Sequence, residues 1–349
     1  MKPLPAFLID YSDSSFTNPH DVVRADAPSD CQGVFTHMGA KYSGIESARH
    51  KATVVLEKEA AFAYDHNAHN WFIIGLKTPA EVSEIRISTK WFTGNQVRFV
   101  SVFLKDGDKE TRVLERVALK PDSDHVFAVP SVRACECRVE CYYDGGIARV
   151  RLFGKPIAAA ARVNLLEKAA ISHVSNIHYG DPARAVRGNR EEDHMFGWES
   201  ARTGFGERAL FQLEAPSSMG EIVVDTYLHR LNPPLSCHVF GAMMAPSEVE
   251  AAMLQAPRWK LALKEGREII PDNFHAYMLE ERYLQEGVTS FKIKLHTQTS
   301  SPWRAIIPFA PLRPDAWHSF RLDAAGPFSH ILYMHYPNGG IHGLKVFAA

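Results

Sequence analysis

No stretch of this 349-residue sequence approaches the roughly eighteen consecutive apolar residues of a membrane-spanning helix. Its opening, MKPLPAFLID, also lacks the long apolar core of a secretory signal. A cytoplasmic address with no membrane partner is therefore expected. Cysteine is scarce: Cys31, Cys135, Cys137, Cys141 and Cys237 are an odd number in a chain too large to need staples, so free thiols in a reducing compartment are expected. Net charge is nearly absent, since 39 Lys and Arg against 40 Asp and Glu leave −1. The basic residues are spread along the chain. Without a Lys and Arg stripe, nucleic acid is excluded as a partner. A glycine-rich phosphate loop, a nucleophile-elbow serine and a Cys–His pair in catalytic context are missing too, and nothing implies a cofactor.

What is present is a repeat. GIESAR at 44–49 returns as GWESAR at 197–202, and the surroundings align in order. WFIIGLKTPAEVSEIRIST (71–89) is answered by ALFQLEAPSSMGEIVVDT (209–226), with Pro79 matching Pro216 and Thr89 matching Thr226. YYDGGIARVRLFG (142–154) is answered by HYPNGGIHGLKVFA (335–348). Copies this long can each bury a core, so two domains of one fold are expected rather than a solenoid.

Short Val-, Ile- and Phe-rich runs such as TVVLE, WFIIGL, EIRIST, VRFVSVFL and RVECYY alternate with Gly, Pro, Asp and Asn. This pattern predicts an all-β fold of two tandem jelly-roll domains. The first spans 1–155, a linker 156–171 and the second 172–349. DGG and NGG near the copy ends read as hairpin turns. The Ala-rich linker reads as helical. An insertion at about 241–300 lengthens the second copy, with SEVEAAMLQA and AYMLEERYLQ as short helices, the first capped by serine. Met243, Met244, Met253 and Leu254 in it offer apolar surface for a homo-oligomer.

ACECRVEC invites a metal reading that geometry opposes: on a strand Cys135 and Cys141 stand roughly 20 Å apart. Period two places the three cysteines on one buried face instead. The histidines of DHNAH (65–69) fall in a polar stretch, so an exposed loop is expected and no metal site. RGNREED (187–193) reads as a solvated charged loop.

The hexapeptide pairs a carboxylate with a guanidinium three residues on. It is either a structural ion pair or a pocket in which Arg holds a substrate carboxylate bidentately while Glu accepts N–H groups or moves protons. On a straight strand Arg49 points away from Glu46 and His50, so their convergence needs a bend.

FTHMGAKYSGIESARH, HNWFIIGL, STKWFTGN and YYDGGIARVRLFGK resemble the first repeat of the allantoicase family. SNIHYGDPARAV, GWESAR, IVVDTYLHRLN and YPNGGIHGLKVF resemble its second. The resemblance implies two galactose-binding-like jelly-rolls, an oligomer, and hydrolysis of allantoate to ureidoglycolate and urea in purine (allantoin) degradation. A non-catalytic binding protein and a hydrolase of another ureido compound are the alternatives. Carried over by motif, Glu46, His37 and His50 are candidate catalytic groups, and Arg49, Asn95, His178, Glu199, Arg202, His229 and Asn232 are candidate substrate-binding groups. The chain departs from the motifs at Ser43, Ile45, Ser47, Phe196 and Leu231, and it carries Asn70-Trp71 and Glu207-Arg208 where the family has Asp-Trp. The polar pattern around Asn95 and Asp144 favours the first copy as the working one, with a shared site as the alternative.

Overall fold

The alternating runs form antiparallel strands, as the sequence predicts, but separate short runs fuse into longer ones: WFIIGL and EIRIST share the strand His69–Ser88. The structure, a computed structural model, describes all residues except 1, 16, 38, 52–53, 57–61, 159–161, 191–196, 203–205, 264–267, 270–284 and 286–290. The chain divides into two units, Met1–Ala161 and Arg162–Ala349. Both are all-β sandwiches of the jelly-roll class.

In the first unit the strands used below are β1 (Ala6–Tyr11), β2 (Ile45–Glu46), β3 (His69–Ser88), β4 (Phe99–Asp106), β5 (Lys109–Ala118), β6 (Asp124–Tyr142), β7 (Gly146–Ile147) and β8 (Arg149–Pro156). The main sheet runs β1–β3–β6–β4–β5, with β8 also on β3. β3 and β6 are long enough to serve both layers. The start of β3 pairs with β1 and with Glu136–Tyr142 of β6; its end pairs with β8 and with the start of β6. Register slips after Ala128 and Ala134 accompany the passage from one layer to the other. Phe72, Ile74, Ile85, Ile87, Val139 and Leu152 fill the space between.

The second unit repeats this order. β9 (Ala170–Ser172), β10 (Tyr179–Gly180), β11 (Trp198–Glu199), β12 (Glu207–Asp225), β13 (Ser236–Ala242), β14 (Arg258–Leu263), β15 (Phe291–His296), β16 (Arg304–Pro311), β17 (Trp317–Tyr336), β18 (Gly340–Ile341) and β19 (Gly343–Ala348) follow in sequence. The main sheet runs β9–β12–β17–β13–β16, with β19 on β12.

The duplication extends to single hydrogen bonds. Thr89 Oγ1 donates to the Lys120 carbonyl at 2.6 Å, and Thr226 Oγ1 to that of Arg313 at 2.6 Å. The Lys120 N–H donates to His125 Nε2 at 2.8 Å, and the Arg313 N–H to His318 Nε2 at 2.8 Å.

Several expectations need correction. The linker is not helical among its described residues: Asn164 Oδ1 accepts the N–H groups of Leu166 and Val346 at 3.3 and 3.1 Å, and β9 follows. A local side-chain acceptor outcompetes helix propensity here. Ahead of the insertion stands α1 (Pro182–Arg187); within it SEVEAAMLQA does form a helix, α2 (Val249–Leu254), but no serine caps it. Glu248 reaches back to accept the Ala245 N–H at 2.7 Å. The insertion is also less of an apolar surface than expected. Met253 is only 7% exposed, within a third core cluster with Phe240, Trp303 and Leu332, whereas Met243 and Leu254 stay exposed. The AYMLEERYLQ helix expectation and Phe196 lie outside the described residues.

RGNREED is not solvated throughout. Arg190 makes two 2.7 Å bonds to Asp225, with 9% of its side chain exposed. In the first unit a buried guanidinium comes from Arg149 instead, which donates to the Ser43 carbonyl at 3.1 Å and to Ser43 Oγ at 3.0 Å, fixing the approach to the hexapeptide. Cys137 and Cys141 are buried and Cys135 is partly so; all five thiols are free. Burial pushes the Cys137 thiol up to about 12.

Candidate active site

Each hexapeptide forms a two-residue strand against the glycine hairpin at one end of its sandwich. Glu46 stands opposite Gly146 and Glu199 opposite Gly340. Glycine is required there because a Cβ on Gly146 would lie 2.0 Å from the Phe92 ring, and one on Gly340 would lie 2.0 Å from the His229 ring. The serines of the two hexapeptides lock the hairpins alike. Ser47 exchanges 3.1 Å bonds with Gly145 through its N–H and Oγ, and Ser200 exchanges 3.0 Å bonds with Gly339. Asn95 and Asn232 present their carbonyls to the N–H groups of Gly146 and Gly340 at 2.7 and 2.8 Å.

In the first unit Asn95 Nδ2 also donates to Glu46 Oε1 at 2.9 Å. Glu46 Oε2 is buried and meets no donor among the described residues. Burial raises the Glu46 pKa above the ordinary carboxylate range, against the opposing pulls of the Asn95 bond and the Arg49 charge. Beyond Glu46 the chain bends: Ala48 N–H donates to Asp13 Oδ2 at 2.6 Å and His50 takes a φ of +62°. The His50 N–H donates to Asp144, whose carboxylate is 3.6 Å from the His50 ring. The bend thus brings Arg49 within electrostatic reach of Glu46 but turns His50 toward Asp144. His37 sits in an exposed turn, and no described hydrogen bond ties it to Glu46.

In the second unit the His178 N–H donates to the Glu199 carbonyl at 3.2 Å, and its ring lies 4.3 Å from that of Tyr179. Arg202 is exposed, and its carbonyl accepts from Asn338 Nδ2 at 3.1 Å. His229 is buried in the place that Phe92 fills in the first unit. The structure therefore groups Glu46, Arg49 and Asn95 beside one hairpin, and His178, Glu199, His229 and Asn232 around the other.

The Allantoicase repeat family matches residues 3–157 and again 162–298. The chain belongs to the allantoicase family. A probable allantoicase of Stutzerimonas stutzeri is 26% identical over 338 residues, covering 90% of this chain and 85% of the relative. The allantoicase of Saccharomyces cerevisiae is 26% identical over 302 residues, covering 78% and 83%. The crystal structure of allantoicase from Saccharomyces cerevisiae aligns over 100% of this chain and 93% of its own, at 19% identity and a TM-score of 0.36.

Sequence reasoning noted Asp144 as part of the first copy's polar pattern and Glu207 as a departure from a motif, but not the inward-facing row that Glu207 forms in the second unit. Glu207, His335 and Cys237 lie side by side on β12, β17 and β13 and are all buried. Their first-unit counterparts are Asn70, Cys141 and Val100. The signal was available: a histidine at a core-register position just before the NGG hairpin breaks the apolar alternation.

Proposed function

We propose that this protein hydrolyses allantoate to ureidoglycolate and urea, in the allantoin branch of purine degradation. Family membership across both sandwiches supports the reaction class. The observation that carries it to a site is the free, buried Oε2 of Glu46. A carboxyl group whose pKa is raised by burial, fixed by Asn95 and left with one unused oxygen, suits proton delivery to a departing ureido nitrogen. Arg49 supplies a guanidinium to the substrate carboxylate, a pairing that favours bidentate geometry. Asp144 orients the turn at His50, so His50 acts through the shape of the loop. In this reading His178, Glu199, Arg202, His229 and Asn232 are substrate-binding candidates of the second unit, around its own hairpin. The exposed Met243 and Leu254 suit self-association in a cytoplasmic enzyme.

A panel of allantoate, allantoin and N-carbamoylglycine, assayed for urea, tests this reading. Urea from allantoate alone is expected; urea from another ureido compound in preference to allantoate overturns the substrate.

A further inference from the structure

The two units treat one buried guanidinium differently, on the side turned from the core of the layer that β3 forms with β6 and β8, and β12 with β17 and β19. Register fixes the correspondence. Ser88 lies between Asp124 and Arg149, and Asp225 between Trp317 and Gly343. Two residues earlier, Arg86 faces Val126 and Arg151, and Val223 faces Ser319 and Lys345. In the second unit the chain completes this face itself. Gly343 brings no side chain, Arg190 reaches in 5.1 and 5.6 Å from the ring centres of Tyr227 and Trp317, and the buried Asp225 carboxylate takes it bidentately at 2.7 Å. In the first unit the guanidinium is present and the carboxylate is not: Arg149 is 1% exposed, and Ser88, 4% exposed, stands at the position of Asp225. The five hydrogen bonds of Arg149 go to the carbonyls of Asp26, Ala27, Ser43 and Ala148 and to Ser43 Oγ, which leave its charge uncancelled. Among the described residues the one carboxylate that reaches it is Asp26, at 4.0 Å, and Arg24 already holds Asp26 through two 2.9 Å bonds. A buried charge without a close counter-charge is costly.

A cavity of about 180 Å³ lies on this face of the first unit, lined by Arg86, Arg149 and Arg151 and by a single carboxylate, Asp124. It is far larger than the roughly 10–15 Å³ that one water needs. Arg86, Asp124 and Val126 in its lining are exposed, so it opens to solvent. We propose that this cavity binds a small carboxylate anion, which stands in the first unit where the Asp225 carboxylate stands in the second. Donors for its oxygens are in place. The terminal nitrogens of Arg86, Nη1 of Arg151 and the hydroxyl hydrogen of Ser88 make no hydrogen bond among the described residues. Guanidinium forks suit a planar carboxylate, and Arg149 adds its charge from the same lining. His125 contributes neither donor nor acceptor, since its Nε2 accepts the Lys120 N–H and its Nδ1 meets the Ile87 carbonyl. Charge sets the class of anion. Asp124 opposes it, and Glu84 lies 2.7 Å from Arg86 Nε, so three guanidinium groups against two carboxylates leave one positive charge, the complement of a monoanion. Glu46, Arg49 and Asn95 do not line the cavity, so the site stands apart from the candidate active site and does not depend on hydrolysis of allantoate. Arg149 also anchors Ser43, directly before the hexapeptide, so a bound anion stabilises the first unit at that anchor.

Equilibrium dialysis of radiolabelled acetate, with sodium chloride holding ionic strength constant, tests the proposal on the purified protein and its Arg86→Gln, Asp124→Asn, Ser88→Asp and Arg49→Ala variants, each with a melting curve. Arg86→Gln is expected to weaken acetate binding about tenfold or more, the scale of a lost charged hydrogen-bond partner. Asp124→Asn, which removes the one opposing carboxylate of the lining, is expected to strengthen it several-fold. Ser88→Asp gives the first unit the residue that the second has at this position; it is expected to abolish acetate binding and to melt in chloride as high as wild type does in acetate. Arg49→Ala is expected to bind acetate as wild type does. No acetate bound by wild type, or binding unchanged in both Arg86→Gln and Asp124→Asn, overturns the site, and these two exposed positions decide the matter even if Ser88→Asp fails to fold. Binding lost in Arg49→Ala and kept in Arg86→Gln overturns it too, by placing the acetate at the hexapeptide.

Discussion

Glu46 and Glu199 hold the same register in two sandwiches, each opposite a hairpin glycine, yet only Glu46 receives a side-chain hydrogen bond from its loop asparagine among the described residues. In the second unit the described hydrogen bonds of Asn232 run through its carbonyl. This asymmetry makes Glu46 the better placed of the two to hold and deliver a proton. Glu46→Gln is expected to lower kcat for allantoate by about 10² to 10⁴-fold, the range of a lost general acid. Glu199→Gln is expected to cost less than tenfold. The same variant has a stability signature with a definite sign. The folded-state pKa of Glu46 is raised by burial, so its stabilising contribution is complete below the unfolded value and is lost as pH rises through the folded one. Glu46→Gln should therefore melt progressively higher than wild type as pH rises from about 4 toward neutrality.

Arg49 is exposed and makes no described hydrogen bond, so its removal should spare the fold. Arg49→Ala is expected to leave the melting temperature unchanged and to lower kcat/KM by about 10- to 150-fold, the scale of about 1.5–3 kcal/mol for a charged hydrogen-bond partner. Steady-state kinetics with allantoate beside a melting curve checks both halves.

Gly146→Ala and Gly340→Ala should destabilise to similar degrees, because each new Cβ would meet a buried ring at 2.0 Å. Neither ring can swing away without disturbing its core. A loss of about 1–3 kcal/mol is expected for each, read from urea or guanidinium unfolding, as for other overpacked sites.

His335 couples the second unit to acid. Its pKa falls from the ordinary histidine value to about 3 on burial, with His229 and His238 adding to the effect. A depressed folded-state value means that stability is present above the unfolded pKa and is lost as pH falls through the window between the two. Between pH 6.5 and about 3 this residue alone should take away up to about 1.4 kcal/mol per pH unit. His335→Phe should flatten that part of the stability curve, measured by denaturant titrations at a series of pH values.

The fold was legible because both copies repeat the period-two alternation and the positions that demand glycine or proline. Gly146 and Gly340 stand in the sequence as hairpin signals, and the structure explains them by the rings behind. The linker and α2 were less legible. In both, one side chain, Asn164 or Glu248, decides the local backbone by reaching a neighbouring N–H, which composition does not reveal. Arg190 was misplaced because a charge run looks solvated until its partner Asp225, from a distant strand, is known. The hexapeptide marked the strand beside each glycine hairpin, but the pairing of Glu207 with His335 entered only through strand register. Two residues separated by more than a hundred positions become neighbours when β12 pairs with β17, and no local pattern announces it.

The most direct test of the whole account is the release of urea from allantoate by the purified protein, followed together with the appearance of ureidoglycolate. Stoichiometric urea and ureidoglycolate from the wild type, reduced about 10² to 10⁴-fold in Glu46→Gln, is the result expected of a general acid at that position. No urea from wild type at high enzyme concentration would contradict the reaction, and full activity in a folded Glu46→Gln protein would contradict the site.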